Sequence, residues 1–97
     1  MNPMETVLEF MNRINQRDAG KLAELMTEDH VFIDSLGQSV VGREEVRAAF
    51  AGYFGLCPDY WVTQERMLAD GNVVAVFGAA GGTIALNSVS RPFSEII

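Results

Sequence analysis

Residues 28–37 read EDHVFIDSLG, and this stretch decides how the rest of the chain is interpreted. It predicts a short apolar strand that follows two helical patterns and ends at a lone carboxylate, Asp34. Because strand side chains alternate between two faces, we expect His30, Phe32 and Asp34 to share one side. A carboxylate in line with aromatic rings is either a solvated edge residue or an ionisable group in an apolar pocket, and such a pocket is suited to proton transfer.

Two helical patterns precede this strand, and a third follows it. Residues 3–17 repeat apolar side chains at the i, i+3, i+4 and i+7 spacing of an amphipathic helix, and Asp18 is a suitable N-cap for a second, shorter helix. The third helix is predicted to begin near Gly42 and to end near Gly55, with a buried face rich in aromatic residues. That face carries Val46, Phe50, Tyr53 and Phe54.

The second half of the chain has the pattern of strands. Residues 60–68 partly alternate, and Asp70-Gly71 is a strong hairpin signal before the apolar run at 73–77. Glycines at 78, 81 and 82 interrupt that run, which predicts a bulge or a strong bend rather than a flat strand. A last strand is predicted over residues 89–97, where Pro92 confines it to a sheet edge or a bulge.

These elements define one α+β domain over residues 1–97, because a chain of 97 residues has no room for a second core. A strongly bent antiparallel sheet is expected to wrap around two to three helices. The apolar end of the chain at 93–97 would leave an unpaired sheet edge unless something covers it. A partner subunit could do so, or the chain could equally be a shortened version of a longer protein.

The net charge of −6 comes with seven basic residues that are scattered rather than gathered into a stripe. This pattern disfavours a nucleic-acid partner and an anionic membrane surface. No apolar run approaches the roughly 20 residues of a membrane helix, and no signal pattern opens the chain, so we expect a cytoplasmic protein. One histidine and one cysteine, Cys57, cannot build a usual zinc site, and neither a metal nor an organic cofactor is implied.

Three segments carry a resemblance to a known family. They are the helix-to-strand passage over residues 15–34, the stretch VGREEVRAAF at 41–50 and the meander MLADGNVVAV at 67–76. Together they resemble the nuclear transport factor 2-like superfamily, in its SnoaL-like polyketide cyclase and ketosteroid isomerase branch. The resemblance implies a cone-shaped fold whose curved sheet encloses a pocket against the helices, a small hydrophobic ligand and a homodimer formed through the sheet. The final strand of that family has no counterpart here.

The same resemblance implies roles for individual residues. Asp34 falls where ketosteroid isomerases keep the base that moves a proton between carbons beside a carbonyl. The tyrosine of their oxyanion hole falls on Phe10, and their late aspartic acid falls near Ser94. Phenylalanine donates no hydrogen bond, and Ser94 is a weaker replacement. Because each lost donor costs about 3–4 kcal/mol of transition-state stabilisation, a true ketosteroid isomerase is not expected.

Each candidate side chain has a functional and a structural interpretation. Asp34 is either a general acid or base, or a turn residue that bonds the backbone amides of Ser35-Leu36-Gly37. His30 is either a second proton-transfer group or a surface residue at the strand entrance. Aromatic side chains at helical spacing are either core residues or cavity-lining ones, and Tyr53 and Trp61 carry donors that need partners if buried or would orient a ligand. The side chains predicted to bind the ligand are Phe10, Phe32, Phe54, Trp61 and Ser94.

Two classes of function follow from these residues. In the first, Asp34 acts as acid or base in the isomerisation, cyclisation, dehydration or hydration of a small hydrophobic substrate. In the second, the domain holds an apolar molecule without chemistry, or serves as a dimerisation module.

Overall fold

The structure is a computed structural model that describes residues 1–86 and 89–96, with side chains over residues 1–84. Within these residues it contains three helices and two antiparallel sheets, which confirms the predicted α+β layout. The elements are α1 (Pro3–Gln16), α2 (Ala19–Ala23), β1 (Val31–Ile33), β2 (Ser39–Val41), α3 (Arg43–Leu56), β3 (Trp61–Asp70), β4 (Val73–Leu86) and β5 (Val89–Ile96). Ile97, the end of the predicted last strand, lies outside the described residues.

The first two helices begin at polar caps, as their sequences indicate. The Asn2 side chain accepts the Glu5 amide N–H at 2.8 Å, and that of Asp18 accepts the Lys21 N–H at 3.0 Å. Such caps satisfy amide groups that have no partner inside the helix. Helix α1 ends at Arg17, whose left-handed backbone turns the chain directly toward α2.

The strand predicted around Asp34 forms a hairpin with β2. Val31 pairs with Val41 and Ile33 with Ser39, and the Asp34 N–H continues the pairing by donating to the Gln38 carbonyl at 2.9 Å. The hairpin then leads through Gly42 straight into α3. It is a two-stranded sheet, separate from the sheet of β3, β4 and β5.

The larger sheet has β4 between β3 and β5. Its β3–β4 register runs from Trp61 opposite Gly81 to Asp70 opposite Val73, so the turn lies at the predicted Asp-Gly signal. The predicted irregularity is present as a shift of register between Gln64 and Arg66. This bulge is in β3, whereas β4 continues unbroken through its glycines.

The core lies between the helices and the larger sheet. The aromatic face predicted for α3 is buried at Phe50 and Phe54, and Leu22 and Val46 are fully buried. Burial of each such side chain contributes about 1.5–3 kcal/mol relative to its exposure. The buried cluster consists of Met11, Ile14, Leu22, Ala23, Met26, Val46, Phe50, Phe54, Val62 and Ala80.

Candidate functional site

A cavity of about 580 Å³ lies between the β1–β2 hairpin, helix α3 and the residue that precedes β3. Phe32 and Val40 reach it together because they are paired across the hairpin. Ala49 and Tyr53 reach it from α3 because residues four apart lie on one face of a helix. The lining residues are Phe32, Ile33, Asp34, Ser35, Val40, Ala49, Phe50, Tyr53 and Tyr60.

Asp34 borders this cavity and is also bonded into its own turn. Its Oδ1 accepts two backbone N–H groups, from Leu36 and from Gln38, both at 2.9 Å. Its carbonyl oxygen accepts the Gly37 N–H at 3.0 Å. Among the described residues, no donor reaches Oδ2. The turn therefore fixes the direction of the carboxylate and leaves one oxygen for another partner.

Aromatic rings form one wall of the site. The rings of Phe32 and Phe50 meet edge to face with centroids 5.1 Å apart. Phe50 also meets Phe10 at 6.2 Å and Phe54 at 5.8 Å. Within the described part of the chain, Phe10 and Phe54 are not among the lining residues, so they support the wall through Phe50. Ligand contact through either of them stays a prediction.

A second aromatic pair, Tyr53 and Tyr60, was only half anticipated. The two rings meet edge to face with centroids 4.9 Å apart. The sequence predicts an orienting contact with a ligand for Tyr53, whereas for Tyr60 it predicts only the start of a strand. The short turn at 57–60 returns Tyr60 to the end of α3, where the Tyr60 N–H donates to the Cys57 carbonyl at 3.1 Å. The connection between α3 and β3 is short, and this is the sequence signal that could have placed the two rings together.

The remaining predicted site residues are His30, Trp61 and Ser94. His30 stacks on Phe10 with ring centroids 6.2 Å apart, one strand position before the hairpin pairing begins. Trp61 is 38% exposed and, within the described residues, does not border the cavity. The backbone of Ser94 pairs with Gly81, but the side chain of Ser94 lies outside the described ones. Ligand contact by His30, Trp61 or Ser94 stays a prediction.

Charges near the cavity are arranged unequally. Asp34 is the one formally charged side chain among the lining residues of the described chain. Arg47 on the outer side of α3 is hydrogen-bonded to Glu44, which lowers the pKa of Glu44 and raises that of Arg47. Arg17 donates to the backbone carbonyl of Tyr60 at 3.0 Å. These cations are held by other groups, so Asp34 has no ion-pair partner among the described residues.

A polar cluster next to Tyr60 joins the turn after α3 to β4. Asp59 Oδ1 accepts the Thr83 N–H at 2.8 Å and faces the Cys57 thiol at 3.6 Å. The Thr83 amide lowers the pKa of Asp59, whereas burial raises the pKa of the Cys57 thiol. A thiol of raised pKa is mostly protonated at neutral pH and is therefore a weaker nucleophile.

Two other features bear on function: groups of metal-ligating side chains and membrane-spanning helices. Among the described residues, no group of three or more His, Cys, Asp or Glu side chains could hold a metal ion. Over the same part of the chain, every helix is too short or too polar to cross a membrane.

A known protein family and several solved structures resemble this chain. The family profile described as the SnoaL-like domain matches residues 7–95. No curated protein matches the sequence.

Solved structures share the fold at low identity. An uncharacterised cystatin-fold protein from Novosphingobium aromaticivorans has a TM-score of 0.84 and 21% identity, over 99% of this chain and 85% of the other. A proposed SnoaL-like polyketide cyclase from Shewanella denitrificans has a TM-score of 0.84 and 14% identity, over 95% and 72%. IdmH, a proposed polyketide cyclase from Streptomyces antibioticus, has a TM-score of 0.79 and 24% identity, over 99% and 78%. At these identities the likeness shows the fold alone.

Proposed function

The chain belongs to the SnoaL-like domain family, within the nuclear transport factor 2-like superfamily, and we propose that it transfers a proton on a small apolar molecule bound beside Asp34. One observation carries this proposal. Among the described lining residues, a single carboxylate, directed by two backbone amides, borders a cavity whose other walls are mainly apolar and aromatic. The cavity volume of about 580 Å³ is in the usual range for small-molecule sites.

The chemistry would be acid–base catalysis of isomerisation, cyclisation, dehydration or hydration. In the isomerisation, Asp34 Oδ2 removes a proton from a carbon beside a carbonyl and returns it to another carbon, so that nothing is gained or lost overall. Negative charge develops on the carbonyl oxygen during this step and requires a donor. Phe10 supplies none, whereas Ser35, Tyr53 and Tyr60 are lining residues that carry hydroxyl groups. We assign the donor to one of these three.

The proposal is tested with β,γ-cyclohexenone, whose isomerisation to the conjugated ketone is followed by ultraviolet absorbance. We expect Asp34→Asn to lower the rate roughly a hundred-fold or more, because a positioned general base contributes about that much. The asparagine Oδ1 still accepts the two turn amides, so the hairpin is kept. Asp70→Asn, the same change at the β3–β4 turn, is the matched control. Equal rates for the parent and Asp34→Asn would contradict proton transfer by this group.

A second candidate function is ligand binding without catalysis. It is favoured by the phenylalanine at position 10 and by the two turn amides that already occupy Asp34 Oδ1. Binding of the neutral fluorophore β-naphthol separates the two functions. Asp34→Asn would alter affinity only modestly in a binding protein, and no pH-dependent turnover would accompany it. Ala49→Trp should fill the cavity and abolish binding, whereas Ala48→Trp, on the neighbouring exposed position, should not.

We also propose that the protein is a homodimer. The outer strip, defined as Leu68, Val73, Ala75 and Phe77, forms an apolar surface on one face of β3 and β4. Leu68 is 49% exposed, Val73 69% and Phe77 50%. Their register places them together, because Leu68 pairs with Ala75 and the three β4 positions alternate onto the same face. A second copy would bury this strip against its own equivalent through a two-fold axis.

A further inference from the structure

We propose that the ligand of this cavity is a cation: an apolar molecule that carries a protonated or quaternary amine. This inference rests on the proposed function, in that the cavity must bind a small molecule at all. It adds the charge of that molecule, which neither the family nor the fold specifies.

The described charges of the cavity and the net charge of the chain are both negative. Asp34 contributes a negative charge, and among the described lining residues there is no lysine, arginine or histidine. Arg17 bonds the backbone of Tyr60 but is not itself a lining residue. The whole chain is also acidic, with a net charge of −6. The described charges therefore favour a cationic ligand over an anionic one.

Covering the Asp34 carboxylate with a neutral ligand is unfavourable in free energy. Its Oδ1 has two amide partners, but Oδ2 receives no hydrogen bond within the described part of the chain. A neutral hydrocarbon that covered this oxygen would shield it from solvent without giving it a partner, which is unfavourable. An ammonium group provides an opposite charge at the same place. The ligand that fits the carboxylate best is therefore positively charged.

The aromatic wall of the cavity also favours a cationic ligand. Among the described side chains, four rings line the cavity, as the edge-to-face pairs Phe32–Phe50 and Tyr53–Tyr60. The faces of such rings carry negative electrostatic potential and attract ammonium groups, more strongly where water is excluded. A carboxylate beside several aromatic rings is thus a site for an amine with an apolar body.

The test compares two ligands of equal shape. Benzyltrimethylammonium carries the charge, and neopentylbenzene has carbon in place of its nitrogen. Binding to the full chain is measured by NMR shift titration of the α3 and β1 amides. We expect the cation to bind roughly ten-fold more tightly than the hydrocarbon, and Asp34→Asn to reduce that ratio to about one. Asp70→Asn has the same net charge as Asp34→Asn, but its ratio of the two affinities should stay at the parent value.

The outcomes separate the two proposals. If neopentylbenzene binds as tightly as the cation and Ala49→Trp blocks it, the cavity binds apolar ligands and the inference about charge is wrong. If the cation binds but Ala49→Trp leaves its affinity unchanged, it binds elsewhere on the acidic surface, which also overturns the inference. If neither ligand binds the parent protein, both the inference and the proposed binding function fail.

Discussion

At the scale of single residues, Asn15 joins the first helix to the larger sheet. Its Oδ1 accepts the Val62 N–H at 2.8 Å, and its Nδ2 donates to the Val62 carbonyl at 3.0 Å. Val62 is buried, so Asn15→Ala should leave two backbone groups unpaired and cost about 1–3 kcal/mol in the free energy of unfolding by urea. Asn12→Ala, an exposed position of the same helix, should cost nothing because alanine is the better helix former. Equal stabilities for the two variants would contradict this assignment.

Asp59 should give the stability a dependence on pH. The Thr83 amide holds the pKa of Asp59 below its usual range. A carboxyl group of this kind stabilises the fold fully above its unfolded pKa of about 4, and the contribution is lost as the pH falls through the lower folded pKa. Asp59→Asn should therefore be less stable than the parent at neutral pH, with a gap that narrows below about pH 4. Urea unfolding at several pH values measures the gap, and a gap that widens in acid would refute the prediction.

The sequence predicted one part of the site better than the other. Alternation along a strand correctly placed His30, Phe32 and Asp34 on one, partly buried side, with Val31 on the exposed side. Asp34 bonds the backbone amides of its own turn and also borders the cavity, and its role as an acid or base stays a prediction. Tyr60 could not be placed in this way, because its position depends on the path of a turn and not on any periodic pattern.

At the scale of elements, Gly78 allows β3 and β4 to approach each other at the bulge. A methyl group at this position would collide with the backbone carbonyl of Thr63, which cannot move aside as a side chain would. Gly78→Ala should therefore destabilise the fold by about 1–3 kcal/mol. Gly52→Ala makes the same chemical change in α3, where nothing lies within 4 Å. It should stabilise the protein by about 0.5–1 kcal/mol, because glycine is the poorer helix residue. Thermal unfolding compares the two variants, and a stable Gly78→Ala would show that the strands can separate there.

Element boundaries were predictable where a local signal marks them. The cap at Asp18 and the turn at Gly71 both lie where their residue types indicate. The extent of β4 was not predictable from the apolar run at 73–77, because glycine is compatible with a bend, a bulge or a continuing strand. In the structure the strand continues to Leu86, and the bulge that Gly78 accommodates belongs to its neighbour.

At the scale of the whole molecule, the helices and strands were predictable but the division of the strands was not. A local turn signal identifies the β3–β4 hairpin, and in the structure β1 forms a second hairpin with β2. Whether the two hairpins share a sheet depends on contacts between distant parts of the chain, and in the described residues they form separate sheets. This division matters for function, because the cavity borders the smaller sheet and leaves one face of the larger sheet for another role.

We propose that this role is the dimer contact, which the outer strip would form. A charge buried without a partner in an interface is strongly unfavourable, so Phe77→Lys should convert a dimer to a monomer. Leu36→Lys makes a similar change on the hairpin turn, where Leu36 is 83% exposed, and should remain dimeric. Light scattering after size-exclusion chromatography measures the mass of each species. Phe77 is not a lining residue of the described cavity, so the monomer should still bind β-naphthol. A parent protein that stays monomeric at high concentration would contradict the dimer, and the strip would then need another partner.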